Sequence, residues 1–244
     1  MKMEVRLDDV ATIDTDLLVI NLFQGVDVPG GATGAVNLLL DGIIGELIQA
    51  GEITGKSSEI TLIHTFVKIP AKRIAVLGLG NQDEFSSQTI RQGMGALVRY
   101  AGTRNIVNIA TIAHGAGIGG MDPEASARSI AEGACLGAYR FSKYKTQGVE
   151  STEQSLTIID NSAGKIDLLT QGMRVGEVLG ESTNIARDLG NEPANVLSPT
   201  ELAVRAKAVC HHVGIEFQQF SREEAFDLGT VSYTHLTLPT SDLV

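Results

Sequence analysis

A glycine-rich motif stands at residues 115–120, where the sequence reads Gly-Ala-Gly-Ile-Gly-Gly. It fits the pattern GxGxxG, follows an apolar run of strand type and precedes a helical pattern, which is the context of a phosphate-binding loop. The acid expected about 20 residues further on, which would bind a ribose, is missing, because the next strand pattern ends only at Asp160. No Gly-Lys-Ser/Thr follows to form a Walker loop. The motif alone therefore favours a tight turn and leaves nucleotide binding as the alternative.

Three adjacent side chains of metal-binding type stand at Cys210, His211 and His212. Successive side chains on a helix point about 100° apart, so these three cannot converge on one ion. His64, within a strand pattern, and His114, beside the glycine motif, are interpreted as histidines with local hydrogen bonds. The HExxH motif of zincins and the GxSxG motif of α/β-hydrolases are absent from the sequence. We therefore predict no catalytic, cofactor-binding or metal-binding residue in this chain.

A small basic patch, Arg140, Lys143 and Lys145, is interleaved with aromatic residues, as in sites for single-stranded nucleic acid. The chain has 19 Lys and Arg against 29 Asp and Glu, a formal net charge of −10, and such a surface repels phosphate backbones and anionic lipids. The patch is interpreted as a helix C-terminus whose cations complement the helix dipole. Nucleic acid and membranes are predicted not to be partners.

The cysteines and the apolar runs bear on the compartment. Cys135 and Cys210 stand far apart in helical patterns, so they form no disulfide framework. Charges interrupt every short apolar run at the N-terminus, unlike a signal peptide. The sequence contains no stretch of 18 or more consecutive apolar residues, which is the length that a membrane span requires. A cytoplasmic location is predicted.

The first 160 residues alternate strand and helix patterns. Strands are predicted over residues 3–7, 17–23, 60–66, 74–79, 106–113 and 156–159. Helical spacing predicts helices over residues 36–47, 90–101 and 122–139, with a loop over residues 25–34. This alternation predicts an α/β fold with a mixed, mostly parallel sheet flanked by helices.

From about residue 161 the pattern is helical for nearly thirty residues, and Gly190 and Pro193 end it. A helix this long is predicted to connect two domains; a last helix packed on the same sheet is the alternative. The boundaries that follow are a domain over residues 1–160, an interdomain helix over 161–190 and the truncated start of an α/β domain over 191–230.

Residues 191–230 carry the signals of a new α/β unit. Ser198 and Glu201 form one capping pattern and Ser221 and Glu224 a second. A strand is predicted to begin at residues 215–217. Residues 231–244 are rich in Ser and Thr and contain one acid and no Lys or Arg. They are interpreted as a non-native tail that looks like translated adapter sequence.

Residues 184–199 read Asn-Ile-Ala-Arg-Asp-Leu-Gly-Asn-Glu-Pro-Ala-Asn-Val-Leu-Ser-Pro. This stretch resembles the junction between the interdomain helix and the catalytic domain of the leucyl aminopeptidase (cytosol aminopeptidase) family. Residues 61–68, 72–80, 131–134 and 139–141 are similar to the amino-terminal domain of that family. The resemblance covers roughly residues 1–229. It implies a macro-domain-like amino-terminal fold and a homo-oligomer, a hexamer.

The resemblance also implies metal-assisted peptide hydrolysis. In the family, two divalent ions, manganese or zinc, polarise the scissile carbonyl and lower the pKa of a bridging water. The motifs that carry the metal ligands and catalytic groups do not occur in this chain. We expect an amino-terminal fragment of an enzyme that releases N-terminal amino acids, leucine preferred, from peptides; the fragment itself is expected to be inactive and without metal. Two alternatives stay open, a macro-like module that binds nucleotide or ADP-ribose and a non-catalytic assembly domain.

Overall fold

The computed structural model describes residues 1–117, 119–145 and 153–229. Contacts divide the chain into two units, Met1–Asp188 and Leu189–Val244. The predicted tail at residues 231–244 lies outside the described residues, so its interpretation stays a prediction, as do the domain boundaries at residues 160 and 190.

The first unit is built on a six-stranded sheet. Its strands in chain order are β1 (Lys2–Leu7), β2 (Leu17–Leu22), β3 (Ile60–His64), β4 (Arg73–Gly78), β5 (Asn108–Ile112) and β6 (Ser155–Asp160). The spatial order is β1-β6-β5-β2-β4-β3, and β3 runs antiparallel to β4 while the other neighbours are parallel. The predicted mixed, mostly parallel sheet is confirmed.

Helices cover both faces of this sheet. They are α1 (Gly31–Leu39), α2 (Ile43–Gln49), α3 (Ser87–Gly102), α4 (Pro123–Ala138) and α5 (Ile166–Asn191). Residues of α1 and α2 pack with Leu18 and Ile20 on one face, and residues of α3, α4 and α5 pack with Leu17 and Val19 on the other. Because successive residues of β2 enter opposite cores, the strand is an unbroken apolar run.

The single helix predicted over residues 36–47 is wrong. Residues 40–42 separate α1 from α2, which are bent by 110° relative to each other. Asp41 and Gly42 have φ angles of 56° and 87°, in the left-handed region that ends a helix. Taken together, this bent pair has the length and apolar composition of a membrane span, whereas no single helix among the described residues has both.

Helices α3, α4 and α5 approach so closely that glycine is required where they touch. A Cβ atom added at Gly137 of α4 would lie 2.5 Å from the carbonyl oxygen of Gly95 in α3. One added at Gly172 of α5 would overlap the carbonyl oxygen of Glu124 in α4. Further along, the Asn184 side-chain amide donates to the carbonyl oxygen of Cys135 over 3.1 Å. Helix α5 is therefore packed on α4 over several turns.

In the second unit, α6 (Pro199–Val213) and α7 (Arg222–Asp227) begin at the predicted capping residues. The Ser198 hydroxyl accepts from the Glu201 amide over 3.2 Å. Ser221 and Glu224 form both halves of a capping box, and the hydrogen bond from the Ser221 amide lowers the pKa of Glu224.

The strand predicted to begin at residues 215–217 is wrong, because residues 215–220 have no regular secondary structure. Ile215 is 63% exposed. A strand is stabilised by pairing and by burying one face. The described residues of this unit, 189–229, contain no other strand with which it could pair.

Candidate functional site

A pocket of about 440 Å³ opens at the carboxyl edge of the sheet in the first unit. Residues at or just beyond the ends of β1, β2, β5 and β6 line it, together with the first turn of α1. The chain leaves β2 toward helices on one face of the sheet and leaves β5 toward α4 on the other. Such a switch point is where open parallel sheets bind ligands.

The side of the pocket near β2 and β5 is rich in backbone amides. Gly31, Ala32 and Thr33 begin α1, and the amides of a helix's first turn have no intrahelical acceptor. The N-cap, Gly30, has no side chain that could accept from them. Gly117, from the glycine motif after β5, also lines the pocket. Uncapped amides at a helix N-terminus favour an anionic ligand group.

The side near β1 and β6 carries carboxylates. Asp8 follows β1, and its amide donates to the carbonyl oxygen of Asp160 at the end of β6 over 3.2 Å. The Asp8 carboxylate lies 3.1 Å from Arg6, and that of Asp160 lies 3.2 Å from Lys165. Asp9 also lines the pocket and accepts from a turn amide two residues on. These ion pairs and the turn hydrogen bond hold the three carboxylates in position.

The distance along the chain between Asp160 and the glycine motif argues against Asp160 as the ribose-binding acid of that motif. The structure brings Asp160, Gly115 and Gly117 to the same pocket. Strands β5 and β6 are parallel neighbours, so their carboxyl ends meet at one edge although helix α4 separates them in sequence. Ile118 of the motif lies outside the described residues.

A buried histidine contacts one of the pocket residues, Asn21. His114 is fully buried, and burial lowers its pKa to about 3, so the imidazole is neutral near pH 7. Its Nδ1 lies 3.2 Å from Oδ1 of Asn21, which lines the pocket, and its Nε2 lies 2.9 Å from the Thr111 hydroxyl. His114 thus has the local hydrogen bonds predicted for it. His64 instead is exposed on β3, its ring 6.2 Å from that of Phe66.

Sequence reasoning missed Asn21, Asp8 and Asp9 as pocket residues. Each stands at or just beyond the carboxyl end of an apolar strand pattern, and no motif marks it. The signal that could have found them is that all parallel strands present this end to the same edge.

The other sequence candidates stay apart. Cys210, His211 and His212 are consecutive residues of α6. Within residues 1–117, 119–145 and 153–229, no group of three or more His, Cys, Asp or Glu side chains could hold a metal ion. In the basic patch just after α4, Lys143 Nζ lies 5.6 Å from the centroid of the Tyr144 ring.

The two cysteines differ in environment. Cys135 in α4 is 7% exposed, and burial raises the pKa of its thiol to about 11. Cys210 in α6 is partly exposed. A thiol that is protonated and buried is a poor nucleophile, so Cys135 is interpreted as part of the packing between α4 and α5.

A mostly parallel sheet, helices on both faces and a pocket at the carboxyl edge define the first unit as an α/β domain. Residues 19–148 match the model of the cytosol aminopeptidase family, N-terminal domain. The chain therefore belongs to the cytosol aminopeptidase family, as the resemblance at residues 184–199 predicted.

Relatives share the similarity over nearly the whole chain. A probable cytosol aminopeptidase of Alkaliphilus oremlandii is 35% identical over 239 residues, and one of Alkaliphilus metalliredigens is 33% identical over 240 residues. Each alignment covers 97% of this chain and 48% of the relative. The chain thus spans about half the length of these relatives.

Solved structures show the same fold. A mutant tomato leucine aminopeptidase superposes with a TM-score of 0.77 at 22% identity, over 94% of this chain and 46% of the other. The bottromycin maturation enzyme BotP, in complex with Mn, gives a TM-score of 0.61 at 22% identity, over 82% and 37%.

Proposed function

We propose that this chain is the amino-terminal part of an aminopeptidase that releases N-terminal amino acids, leucine preferred, from peptides. The observation that carries the proposal is the family match over residues 19–148. It is supported by relatives named cytosol aminopeptidase that align with 97% of this chain over about half of their own length.

The hydrolysis is proposed to depend on two divalent ions, manganese or zinc. Such ions supply Lewis-acid activation of the scissile carbonyl and of a water molecule. The described residues do not fit them, because within residues 1–117, 119–145 and 153–229 no group of three or more His, Cys, Asp or Glu side chains could hold a metal ion. The proposal therefore assigns the metal ligands to segments other than the described ones, and this chain alone is expected to be inactive.

In the aminopeptidase, the described residues are proposed to have a structural role. The glycine contacts between α4 and α5 fix the long helix on the first unit. We propose that this scaffold supports a hexameric, cytoplasmic enzyme; the cytoplasmic location is supported by the name cytosol aminopeptidase that the relatives carry. Cell fractionation and sedimentation velocity test location and assembly; a membrane-bound or monomeric enzyme would contradict this part of the proposal.

The peptidase proposal is tested with two proteins. One is this 244-residue chain, and the other is the Alkaliphilus oremlandii relative in which residues 1–190 of this chain replace the corresponding segment. Both are assayed with a chromogenic leucine anilide and manganese. We expect no hydrolysis by the chain alone and clear hydrolysis by the chimera, with the unmodified relative as the positive control.

Either of two results contradicts the proposal. Hydrolysis by the purified chain alone would show that the catalytic groups lie within it. A chimera that folds and assembles like the relative but has no activity would show that these residues do not serve as an aminopeptidase scaffold.

A second candidate function, binding of nucleotide or ADP-ribose by the first unit, is favoured by one observation. The pocket brings together the glycine motif, the first turn of α1 and Asp160. Titration of the chain with ADP-ribose in a calorimeter tests it, and the absence of heat at millimolar ligand would end it.

A further inference from the structure

The pocket at the carboxyl edge has two chemically different ends. Backbone amides of Gly31, Ala32 and Thr33 and of the glycine motif lie at the β2 and β5 end. The three carboxylates that line the pocket, Asp8, Asp9 and Asp160, follow or end β1 and β6. In the order β1-β6-β5-β2, three strand spacings separate the outer strands, about 14 Å. The pocket therefore suits an elongated ligand with acceptors at one end and donors at the other.

The amide end suits an anion. The first turn of α1 is uncapped, and the helix dipole adds partial positive charge there. The pocket carboxylates belong to the opposite end, so they do not compete for these donors. A phosphate group supplies several strong acceptors and negative charge to such an end.

The carboxylate end suits hydroxyl or amino groups. Arg6 and Lys165 pair with Asp8 and Asp160, which holds these carboxylates in place and offsets part of their charge. Ionised carboxylates only accept hydrogen bonds, so the ligand must donate here. Ribose hydroxyls and a base amino group are donors of this kind.

Asn21, at the carboxyl end region of β2, lies on the amide side. In a neutral imidazole one ring nitrogen donates and the other accepts. With Oδ1 of Asn21 facing Nδ1 of His114, that N–H donates to Asn21, and Nε2 faces the Thr111 hydroxyl, whose one hydrogen also has the carbonyl oxygen of Ile112 within 3.2 Å. This arrangement leaves the amide NH₂ of Asn21 as a further donor for a ligand. His114 and Thr111 act as positioning residues for it.

We propose that the pocket binds a nucleoside diphosphate, with its phosphates at the first turn of α1 and the glycine motif and its ribose and base toward Asp8 and Asp9. Asn21 donates to the phosphate side of the ligand. A pocket of about 440 Å³ is within the usual range for small-molecule sites. This inference rests on the second function proposed above, ligand binding by the first unit, and is independent of the peptidase proposal.

The test is calorimetric titration of the full 244-residue chain with ADP, AMP, adenosine and inorganic phosphate. We expect one ADP per chain, bound at least about tenfold more tightly than AMP, because the second phosphate adds charge-assisted hydrogen bonds. Adenosine and inorganic phosphate are expected to bind more weakly than AMP.

A blocking variant, Gly117→Leu, locates the site. Gly117 lines the pocket, and a Cβ atom there meets nothing within 4 Å, so a larger side chain is expected to take up space beside the ligand. ADP affinity is expected to fall at least about tenfold. Gly190→Leu is the matched control, because a Cβ at Gly190 also meets nothing within 4 Å and this residue does not line the pocket. It should leave ADP binding unchanged.

A second variant, Asn21→Asp, tests the orientation of the ligand. It keeps the shape of the side chain but replaces the NH₂ donor by a charged acceptor. We expect ADP affinity to fall at least about tenfold and adenosine affinity by less than about threefold. Circular dichroism and the thermal midpoint of each variant confirm that it folds.

The outcomes separate the two proposals. Equal affinity for ADP, AMP and adenosine, lost in Gly117→Leu, would overturn the diphosphate and keep ligand binding by the first unit. Undiminished ADP binding by Gly117→Leu would overturn this pocket as the site. No heat with any of the four compounds, or with ADP-ribose, would overturn both the inference and the second function.

Discussion

Helices α4 and α6 begin with the same local signals and differ in what they bury. Each has a side-chain N-cap followed by proline, Asp122 and Pro123 in α4 and Ser198 and Pro199 in α6. Nine of the 16 residues of α4 are buried, whereas none of the 15 residues of α6 is. Capping decides where a helix begins, and packing against a partner supplies most of its stability. The comparison shows that local signals predict where a helix begins but do not predict how many of its residues are buried.

The same difference holds for the two units. The first unit has apolar cores on both faces of its sheet. Among the described residues of the second unit, Leu202 is 44% exposed, Val209 46% and Phe226 64%. Burial of apolar side chains is the main favourable contribution to folding. We therefore expect mutational effects on stability to concentrate in the first unit.

The largest effect is expected from a matched pair of leucine substitutions. Leu97 in α3 is fully buried, and Leu97→Ala should lower the free energy of unfolding by about 2–5 kcal/mol, because the core cannot fill the cavity. Leu202→Ala in α6 should change it by less than about 0.5 kcal/mol. Urea unfolding followed by circular dichroism measures both. Equal losses of unfolding free energy in the two variants would contradict the difference in core packing between the two units.

A pair of glycine substitutions within α5 comes next. Gly172→Ala places a Cβ against the carbonyl oxygen of Glu124, and it should cost about 1–3 kcal/mol. Gly190→Ala meets open space, so the better helix propensity of alanine should stabilise by up to about 1 kcal/mol. Thermal unfolding of both variants gives the sign. A stabilised Gly172→Ala would show that α4 and α5 are not in backbone contact.

The third expected effect is a pH dependence that arises in the first unit. His114 has a pKa of about 3 when folded and about 6.5 when unfolded, because burial disfavours its charged form. Below pH 6.5 the unfolded chain binds a proton that the folded chain does not, so stability falls as the pH falls toward 3. Between pH 7 and pH 5 this amounts to about 2 kcal/mol.

His114→Gln removes this contribution, so its stability should fall less than that of the wild type between pH 7 and pH 5. Urea unfolding at both pH values measures the difference. His211→Gln, at an exposed position of α6, is the control and should follow the wild type. Parallel pH profiles for His114→Gln and the wild type would mean that the pKa of His114 is the same in the folded and the unfolded chain.

The elements that the sequence predicts correctly are those with local determinants. Helix α4 begins at Pro123 as predicted, because the Asp122 carboxylate accepts from the Ala125 amide over 3.0 Å. Strands β2 to β6 are predicted from apolar runs, since both faces of the sheet are covered, and β1 from the alternation typical of an edge strand. These signals act within a few residues and need no knowledge of the fold.

The sequence predictions that are wrong or missing concern features that depend on non-local structure. Apolar spacing continues across Asp41 and Gly42, so periodicity hides the break between α1 and α2. At Ile215 an alternating pattern is present without a strand to pair with among the described residues. The pocket is not predicted from the sequence, because only the order of the parallel strands brings Asn21 and Asp160 to the same pocket.

The burial of Cys135 has a practical consequence. The chain has two cysteines, and the thiol of Cys135 is enclosed between α4 and α5, while that of Cys210 is partly accessible on α6. Thiol-specific labels at neutral pH will therefore attach to Cys210 first. A fluorophore or spin label introduced in this way reports on the second unit without any engineered cysteine, and later reaction at Cys135 would signal opening of the α4–α5 contact.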